Sequence, residues 1–411
     1  MVGQTIKPGF KKTEIGEIPE EWKLKPLEQL CEIYDNERIP LSDKIRKNRK
    51  GFFPYCGANG IVDYIDDYLF DGEFVLLAED GGYYGKSEPS AYLMKGKFWV
   101  NNHAHVLRGI QDEMENGFLL NSLIYLDIAR YIFGTTRLKL NQQVMRSILL
   151  AVPNFNEQQK IAKILSNTDS LIESLDKLIS KKRNIKQGLM QTLLTRGIGH
   201  TKFKKTEIGE IPEEWGTAKA SDIYYIVTGT TPSTAAKEYW DQGKIEWFTP
   251  KDLRYVGASF SIFTSERKIT EKAMTENSLT LLPLNSIVLS TRAPVGYVGI
   301  NTKEATFNQG CKGLVPKQPE IVDTRFHAFY ISRISNLLNT LSGGSTFKEL
   351  SKETLGNITL PLPENGEQQK IAKILSDADK EIEVLEQKRY KYEMLKTGMM
   401  QQLLTGRIRV K

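Results

Sequence analysis

The residues most able to do chemistry in this chain fall into a few short groups. The run Gly81, Gly82, Tyr83, Tyr84, Gly85, Lys86, Ser87 ends like a loop whose backbone N–H groups and lysine hold phosphate. Such a loop needs a glycine five residues before Gly85 and a helix after it. Asp80 occupies the first position, and Pro89 opposes the helix. His103 and His105 stand two apart, on one face of a strand, with no third His and no Cys nearby. That pair suits hydrogen bonding or base contact better than metal ligation. Cys31, Cys56 and Cys311 are widely separated and in no metal spacing, as expected of a chain in a reducing cytoplasm. No GxGxxG opens a helix after a strand, and no aromatic-flanked Asn/Asp-Pro-Pro stretch is present. The sequence therefore offers no catalytic residue and no metal site.

What remains suits the reading of nucleic acid. Five cations crowd seven residues at Lys44, Arg46, Lys47, Arg49 and Lys50, the best candidates for phosphate contact. Loop positions add Asn59, Tyr83, Lys86, His103 and His105 in the first half. In the second half they add Thr231, Lys251, Arg254, Arg292, Gln309 and Lys312. Arg and Lys match guanine edges and phosphates, and Asn and Gln match adenine. The net charge of +6 is a mild tilt towards polyanions, below what a lone DNA binder carries. Met1–Lys12 is polar and basic with no apolar core, and no apolar run nears the ~20 residues of a membrane span, so a cytoplasmic chain is expected.

The elements that must position these residues come in duplicate. Phe10–Trp22 and Phe203–Trp215 are the same thirteen residues, FKKTEIGEIPEEW, and Glu157–Ser166 and Glu367–Ser376 both read EQQKIAKILS. The copies lie 193 residues apart at the first string (203 minus 10) and 210 at the second (367 minus 157). Seventeen residues are thus inserted in the second half, between strings that stay fixed. This is a duplicated domain pair and not a solenoid. GTTRLKL (Gly134–Leu140) and GSTFKEL (Gly344–Leu350) realign at 210, adding Arg137, Lys139, Thr346 and Lys348 to the candidate DNA contacts.

Each EQQKIAKILS string opens a long amphipathic pattern. Its apolar positions include Ile161, Leu165, Ile172, Leu175, Ile179 and Leu189 in the first copy. In the second they include Ile371, Leu375, Ile382, Leu385, Tyr392 and Met399. Steps of three and four predict two helices of roughly 38 residues, each a rod of about 55–60 Å, packed on one another as an antiparallel coiled coil. The alternative is that each packs on its own domain. Asn156, with Gln159 three residues on, is the expected N-cap of the first helix. Gly188 and Gly398, equivalent at 210, suggest close helix approach or a local bend. Between the strings, short strands followed by a helix, near Gly117–Phe133 and Thr324–Leu341, predict an α+β fold. The segments are 1–153 and 201–363 for the two domains, and 154–200 and 364–411 for the helices. The tail QLLTGRIRVK joined to the head would nearly reproduce the junction TLLTRGIGHTKFKK. The chain thus reads as a circular, pseudo-two-fold repeat opened at one point, with Met1 near Lys411.

The repeated KTEIGEIPEEW box, TGTTPS (Thr228–Ser233), EYWDQGKIEWFTPKDL (Glu238–Leu253) and the EQQKIAKIL helix starts resemble the specificity subunits of type I restriction–modification systems, over nearly the whole chain. The resemblance implies two target-recognition domains, each reading one half of an asymmetric bipartite double-stranded DNA target, held apart by paired conserved helices. It implies two methyltransferase subunits docked on this scaffold and two restriction subunits joining them. No cofactor is implied on this chain; S-adenosylmethionine, ATP and Mg belong to those partners. Two other readings stay open: a single-chain DNA methyltransferase or nuclease, and a coiled-coil adaptor that never touches DNA.

Overall fold

A computed structural model describes residues 7–132, 138–256, 258–292, 294–343 and 349–410. The chain forms two compact units, Met1–Asp176 with Lys388–Lys411, and Lys177–Gln387. Each takes one globular domain and part of each long helix, and the mixed α and β architecture expected from the repeats is borne out.

In the first unit, strands β1 (Cys31–Ile33), β2 (Lys50–Gly57), β3 (Gly60–Ile65), β4 (Phe70–Ala78), β5 (Ala91–Val100) and β6 (Ala104–Gly109) form one sheet in the order β1-β6-β4-β5-β2-β3. Helix α1 (Asp43–Asn48) precedes β2, and α2 (Asn116–Tyr125) covers the sheet. The fully buried strand runs Val75–Ala78 and Val106–Leu107 pack on α2 residues Phe118 and Leu119, or on the Phe70–Phe74–Phe98 cluster of the other face. The predicted helix near Gly117–Phe133 is shorter than expected, because Leu126 and Asp127 leave helical geometry before the single turn Ile128–Tyr131.

The first long helix, α3, runs Phe155–Arg196. Its cap is Asn154, whose Oδ1 accepts from Glu157 N at 3.0 Å. This corrects the expected Asn156, which already lies in the first turn.

The second unit repeats the plan with a divided sheet. Strands β7 (Tyr224–Thr228), β8 (Ile245–Phe248), β9 (Ser261–Ile262), β10 (Lys268–Ile269), β11 (Ile287–Ser290), β12 (Val298–Asn301), β13 (Ala305–Phe307) and β14 (Cys311–Pro316) form sheets β7-β14-β11-β12-β9 and β10-β8-β13. Helix α4 (Thr324–Arg333) covers the larger one, and α5 (Asn365–Leu403) is the second long helix.

The repeated strings join domain to helix in the same way twice. Gln158 is buried; its Nε2 donates to the Glu113 and Pro153 carbonyls at 2.8 and 3.1 Å, and its Oε1 accepts from Glu115 N at 2.9 Å. Gln368 does the same with Ile321 O, Pro363 O and Asp323 N, at 2.9, 2.8 and 2.9 Å. Glu115 and Asp323 are the N-caps of α2 and α4, so one side-chain amide fixes each globular domain's helix against its rod. Glu157 and Glu367 sit beside the repeated tryptophans. Glu367 accepts from Trp215 Nε1, Ile198 N and His200 Nε2, at 2.9, 2.9 and 3.0 Å. Glu157 accepts from Arg409 Nε and Nη2 and from Val410 N, at 2.7, 2.8 and 3.2 Å. Burial pushes the Glu157 carboxyl up, but Arg409 and the Val410 N–H outweigh it and hold it below the usual range.

Gly406 (φ +66°) leaves no room for a Cβ, which would meet Pro19 at 2.3 Å; Gly197 (φ +62°) would meet Glu367 at 2.4 Å and Trp215 at 2.8 Å. The chain's tail therefore occupies, against Trp22, the place that the internal junction occupies against Trp215. Met1 and Lys411 themselves lie outside the described residues.

The long helices run antiparallel within each unit, as the rising and falling residue numbers of their ion pairs require. Asp169 meets Lys396 and Asp176 meets Arg389 in the first unit. In the second, Lys182 meets Glu381, Arg183 meets Glu386 and Lys186 meets Asp379. Such exposed pairs contribute about 0.2–1 kcal/mol each, so they set register more than stability. The apolar stripe supplies the stability. Ile161 and Leu165 lie in the first unit's core with Met399 at its margin, and Ile371 and Leu375 lie in the second with Leu189 at its margin. Leu175, Ile179 and Ile382 are buried; Ile172, Leu385 and Tyr392 are half-buried. Both expected modes of packing occur, since the helix starts bury against their own domain as well as against the opposite helix. A Cβ added at Gly188 or Gly398 meets nothing within 4 Å, which corrects the reading of these glycines as sites of close helix approach.

Candidate nucleic-acid interface

In the first unit, Ala78 at the end of β4 pairs with Ala104 at the start of β6, so the loops flanking them leave the same edge of the sheet. Glu79 N donates to His103 O, Leu140 N donates to Glu79 O, and Asp80 bridges to Lys139. The turn between β2 and β3 joins them through Asn59 Nδ2, which donates to Gly81 O at 2.9 Å. Asn59, Tyr83, His103 and Lys139 are thereby gathered on one rim. Tyr83 and Asn59 are exposed, His103 Nδ1 lies 2.5 Å from Asp80, and Lys139 reaches Glu79 at 2.8 Å. Lys86, in the same loop, lies over the Tyr125 ring. The loop resembling a phosphate cradle is closed from within: Gly85 N donates to Glu88 Oε2 at 2.7 Å, and Tyr84 is buried in the core.

Beneath the rim lies a polar platform that sequence reasoning did not find. Glu79 receives Arg38 at 2.6 Å, and Arg38 also donates to Ala104 O at 2.8 Å. Asp35 accepts from Gln142 Nε2 and Val106 N, and its Oδ2 lies 2.6 Å from His105 Nδ1. His105 Nε2 meets Leu140 O at 2.8 Å. Burial acts to raise both carboxyls, yet Asp35 stays below the usual range through His105 and Val106 N–H, and Glu79 through Lys139 and Arg38. His105 is 0% exposed, so it braces the rim loops from below and presents no edge to a base.

The second unit builds the same rim with opposite charges. Ser290 pairs with Cys311, Thr291 N donates to Gly310 O, and Leu350 N donates to Thr291 O. The bridge equivalent to Asp80–Lys139 is Arg292–Glu349, with 3.0 Å between their charged groups. The position of His105, opposite Leu77, corresponds to Lys312, opposite Leu289. Lys312 is also buried, with Nζ 3.4 Å from Glu349. It too belongs to the platform and not to the exposed surface. Burial raises the Glu349 carboxyl, but Arg292 and Lys312 prevail and lower it. Gln309 is exposed between Asn308 and Gly310, and Thr231 follows Thr230, whose N donates to Phe307 O. Gly310 lies against Pro250, next to Lys251, which pairs with Glu266; Arg254 is exposed on the following turn. Arg137, Thr346 and Lys348 lie outside the described residues.

The cation run of α1 and β2 is mostly occupied. Arg46 meets Asp43 and Asp63 and covers the Tyr55 ring; Arg49 meets Asp66 and Asp67 and covers Trp99; Lys50 meets Asp63. Lys44 and Lys47 are exposed and carry no ion-pair partner among the described residues. As candidates for phosphate contact, the run narrows chiefly to these two. The three cysteines are buried thiols, with Cys31 and Cys56 pushed up to about 12 by burial. Among the described residues no group of three or more His, Cys, Asp or Glu is placed to hold a metal, and no helix is long and apolar enough to cross a membrane.

The family model described as "Type I restriction modification DNA specificity domain" matches the chain twice, at residues 19–182 and 212–393. The chain is similar, at 31% identity over 98% of its own length and 97% of the relative's, to a putative type I restriction enzyme MjaX specificity subunit of Methanocaldococcus jannaschii. It is also similar, at 30% identity over 57% of both chains, to the EcoR124I/EcoR124II specificity subunit of Escherichia coli. Among solved structures, the S subunit of a type I restriction–modification system from M. genitalium has the same fold, with TM-score 0.64 at 15% identity over 96% of this chain and 98% of that one.

Proposed function

Since the chain belongs to the type I restriction–modification DNA specificity family, and is thus a recognition subunit and not a catalytic one, we propose that it reads an asymmetric bipartite target in double-stranded DNA, one half-site per domain. The observation that carries this reading is the pair of rims. The same strand ends and the same bridge recur in both domains, with buried His105 and buried Lys312 at the equivalent position, while the charges at the bridge are reversed between Asp80–Lys139 and Arg292–Glu349. One scaffold with two unlike rims fits two unlike half-sites, because base edges are told apart by donor and acceptor pattern. A two-fold homodimer would instead impose a palindrome.

In this reading the paired helices offer docking surface to two methyltransferase subunits, and two restriction subunits join through them. S-adenosylmethionine, ATP and Mg act on those partners, and the target adenine is flipped into the methyltransferase pocket. The test is to replace 23–153 by the corresponding domain of a relative and map methylated adenines made with the methyltransferase partner. One half-site should change and the other stay. A change in both, or in neither, refutes independent reading.

A further inference from the structure

Phe52 is 94% exposed, while Phe263, the next most exposed aromatic side chain among the described residues, is at 66%. Its exposure is built in by the backbone. Lys50 and Phe53 both pair with Ile65, so Gly51 and Phe52 are extra residues bulged out of the β2–β3 ladder. Bulges of this kind re-aim a side chain. Gly51 permits the bulge, because a Cβ there would stand 2.4 Å from both Ile65 O and Asp66 Cα. The base of the bulge is held firmly: Asp66 N donates to Arg49 O at 3.0 Å, Phe53 packs on Tyr68 at 5.1 Å, and Lys97 covers Tyr68. A rigid stem thus carries a bare phenyl ring. Exposing a ring of that size forgoes its burial, which folding alone does not favour.

We propose that Phe52 is a wedge that enters a base step of the DNA bound by the first domain, an inference that rests on the DNA reading above. The neighbourhood favours a polyanion over an apolar protein surface. Lys44 and Lys47 stand one helical turn apart on α1 with no ion-pair partner among the described residues, and Lys50 is largely exposed beside Asp63. Asp66 and Asp67, which would repel phosphate, are engaged by Arg49. Cations on the chain segment that leads into a bare ring held on a fixed bulge suit insertion between base pairs: phosphates are held while the ring takes the place of a lost stacking contact.

The probe is a duplex carrying the site found by methylation mapping, with 2-aminopurine placed at successive steps, bound by the full chain with its methyltransferase partner. Wild type should raise 2-aminopurine fluorescence at one step within one half-site. Phe52→Ala should abolish that rise and weaken binding about ten- to a hundredfold, while Phe52→Leu, still an apolar wedge, should keep most of both. Thermal melting should be unchanged in both variants, because the ring touches little of its own domain. Unchanged affinity and fluorescence in Phe52→Ala would overturn the wedge and leave the DNA reading intact. So would loss of methyltransferase binding in place of DNA binding, which would make Phe52 a protein contact. Wild type that shows no sequence-dependent binding would overturn both.

Discussion

Gln368 is the residue whose removal should tell most about how a recognition domain is fixed to its rod. It is fully buried and satisfies two carbonyls and one N–H within 2.9 Å. Gln368→Ala leaves three backbone groups unpaired. At about 1 kcal/mol for each lost bond, and up to 1–3 kcal/mol where water cannot replace it, the expected loss is roughly 3–5 kcal/mol. Gln368→Glu is nearly isosteric, yet it turns the donor towards Ile321 O and Pro363 O into a carboxylate. At pH 7 it should cost more than alanine, because a buried charge then faces two carbonyls with only the Asp323 N–H to hold it. The sign with pH follows from linkage. The new carboxyl's folded pKa is raised, so the folded state binds the extra proton, and stability returns as pH falls through that pKa towards about 4.3. Denaturant unfolding at pH 7 and pH 5 measures both effects, and hydrogen exchange in Thr324–Arg333 locates them. A loss under about 0.5 kcal/mol for alanine, or a glutamate variant milder than alanine at pH 7, would refute the reasoning.

Gln158→Ala should act alike in the first unit, with faster exchange confined to Asn116–Tyr125 and the adjoining helix start. His327 is fully buried, accepting from Tyr224 OH at Nδ1 and donating from Nε2 to Pro361 O; burial pushes its pKa down to about 4. Unfolding therefore takes up a proton between pH 6.5 and 4, and about 3 kcal/mol of stability should disappear across that window as pH falls. His327→Phe should flatten the dependence in urea titrations, and an unaltered slope would count against it. Gly188→Ala and Gly398→Ala should each stabilise by up to about 1 kcal/mol, since open space surrounds both; a lower melting temperature would contradict this. A permuted chain with its ends joined and a new opening near Gly199 should fold and support methylation, because the tail already packs on Pro19–Trp22; loss of folding would refute it.

Local signals were legible in the sequence and long-range ones were not. The helical stripe, the strand runs and the duplicated boxes depend on spacing, which one sequence displays, and they locate both rods and the mixed α and β segments between them. The N-cap was misplaced by two residues because Asn154 and Asn156 offer equally good oxygen acceptors at a helix start, and only backbone geometry separates them. The cation run Lys44–Lys50 looked available because its carboxylate partners, Asp63, Asp66 and Asp67, arrive from the next strand and its far end. His105 looked like a rim residue because alternation along a strand tells which face a side chain takes, not whether another segment covers it; Leu140 does so from 35 residues away. The glutamines were the one long-range feature within reach. Gln158 and Gln368 remain identical in two copies that differ almost everywhere between the boxes, which is what a buried three-bond site demands.

The two rims also explain why a recognition domain must work as a whole. Exposed and buried positions are wired together: Lys139 needs Glu79, Glu79 needs Arg38, and Arg38 approaches Asp35, which meets His105. In the second unit one carboxylate, Glu349, serves both the exposed Arg292 and the buried Lys312. Placing a glutamate at 139 alone would set three carboxylates, with Glu79 and Asp80, around one bridge. The nearest buried partner there is a histidine already committed to Asp35 and Leu140 O. Moving Arg292 into the first unit without Glu349 would likewise leave it to compete with Arg38 for Glu79. Changes in what the rim presents therefore have to be matched by changes beneath it. Exchange of entire domains between the fixed boxes preserves every such pairing, whereas exchange of single loops breaks at least one.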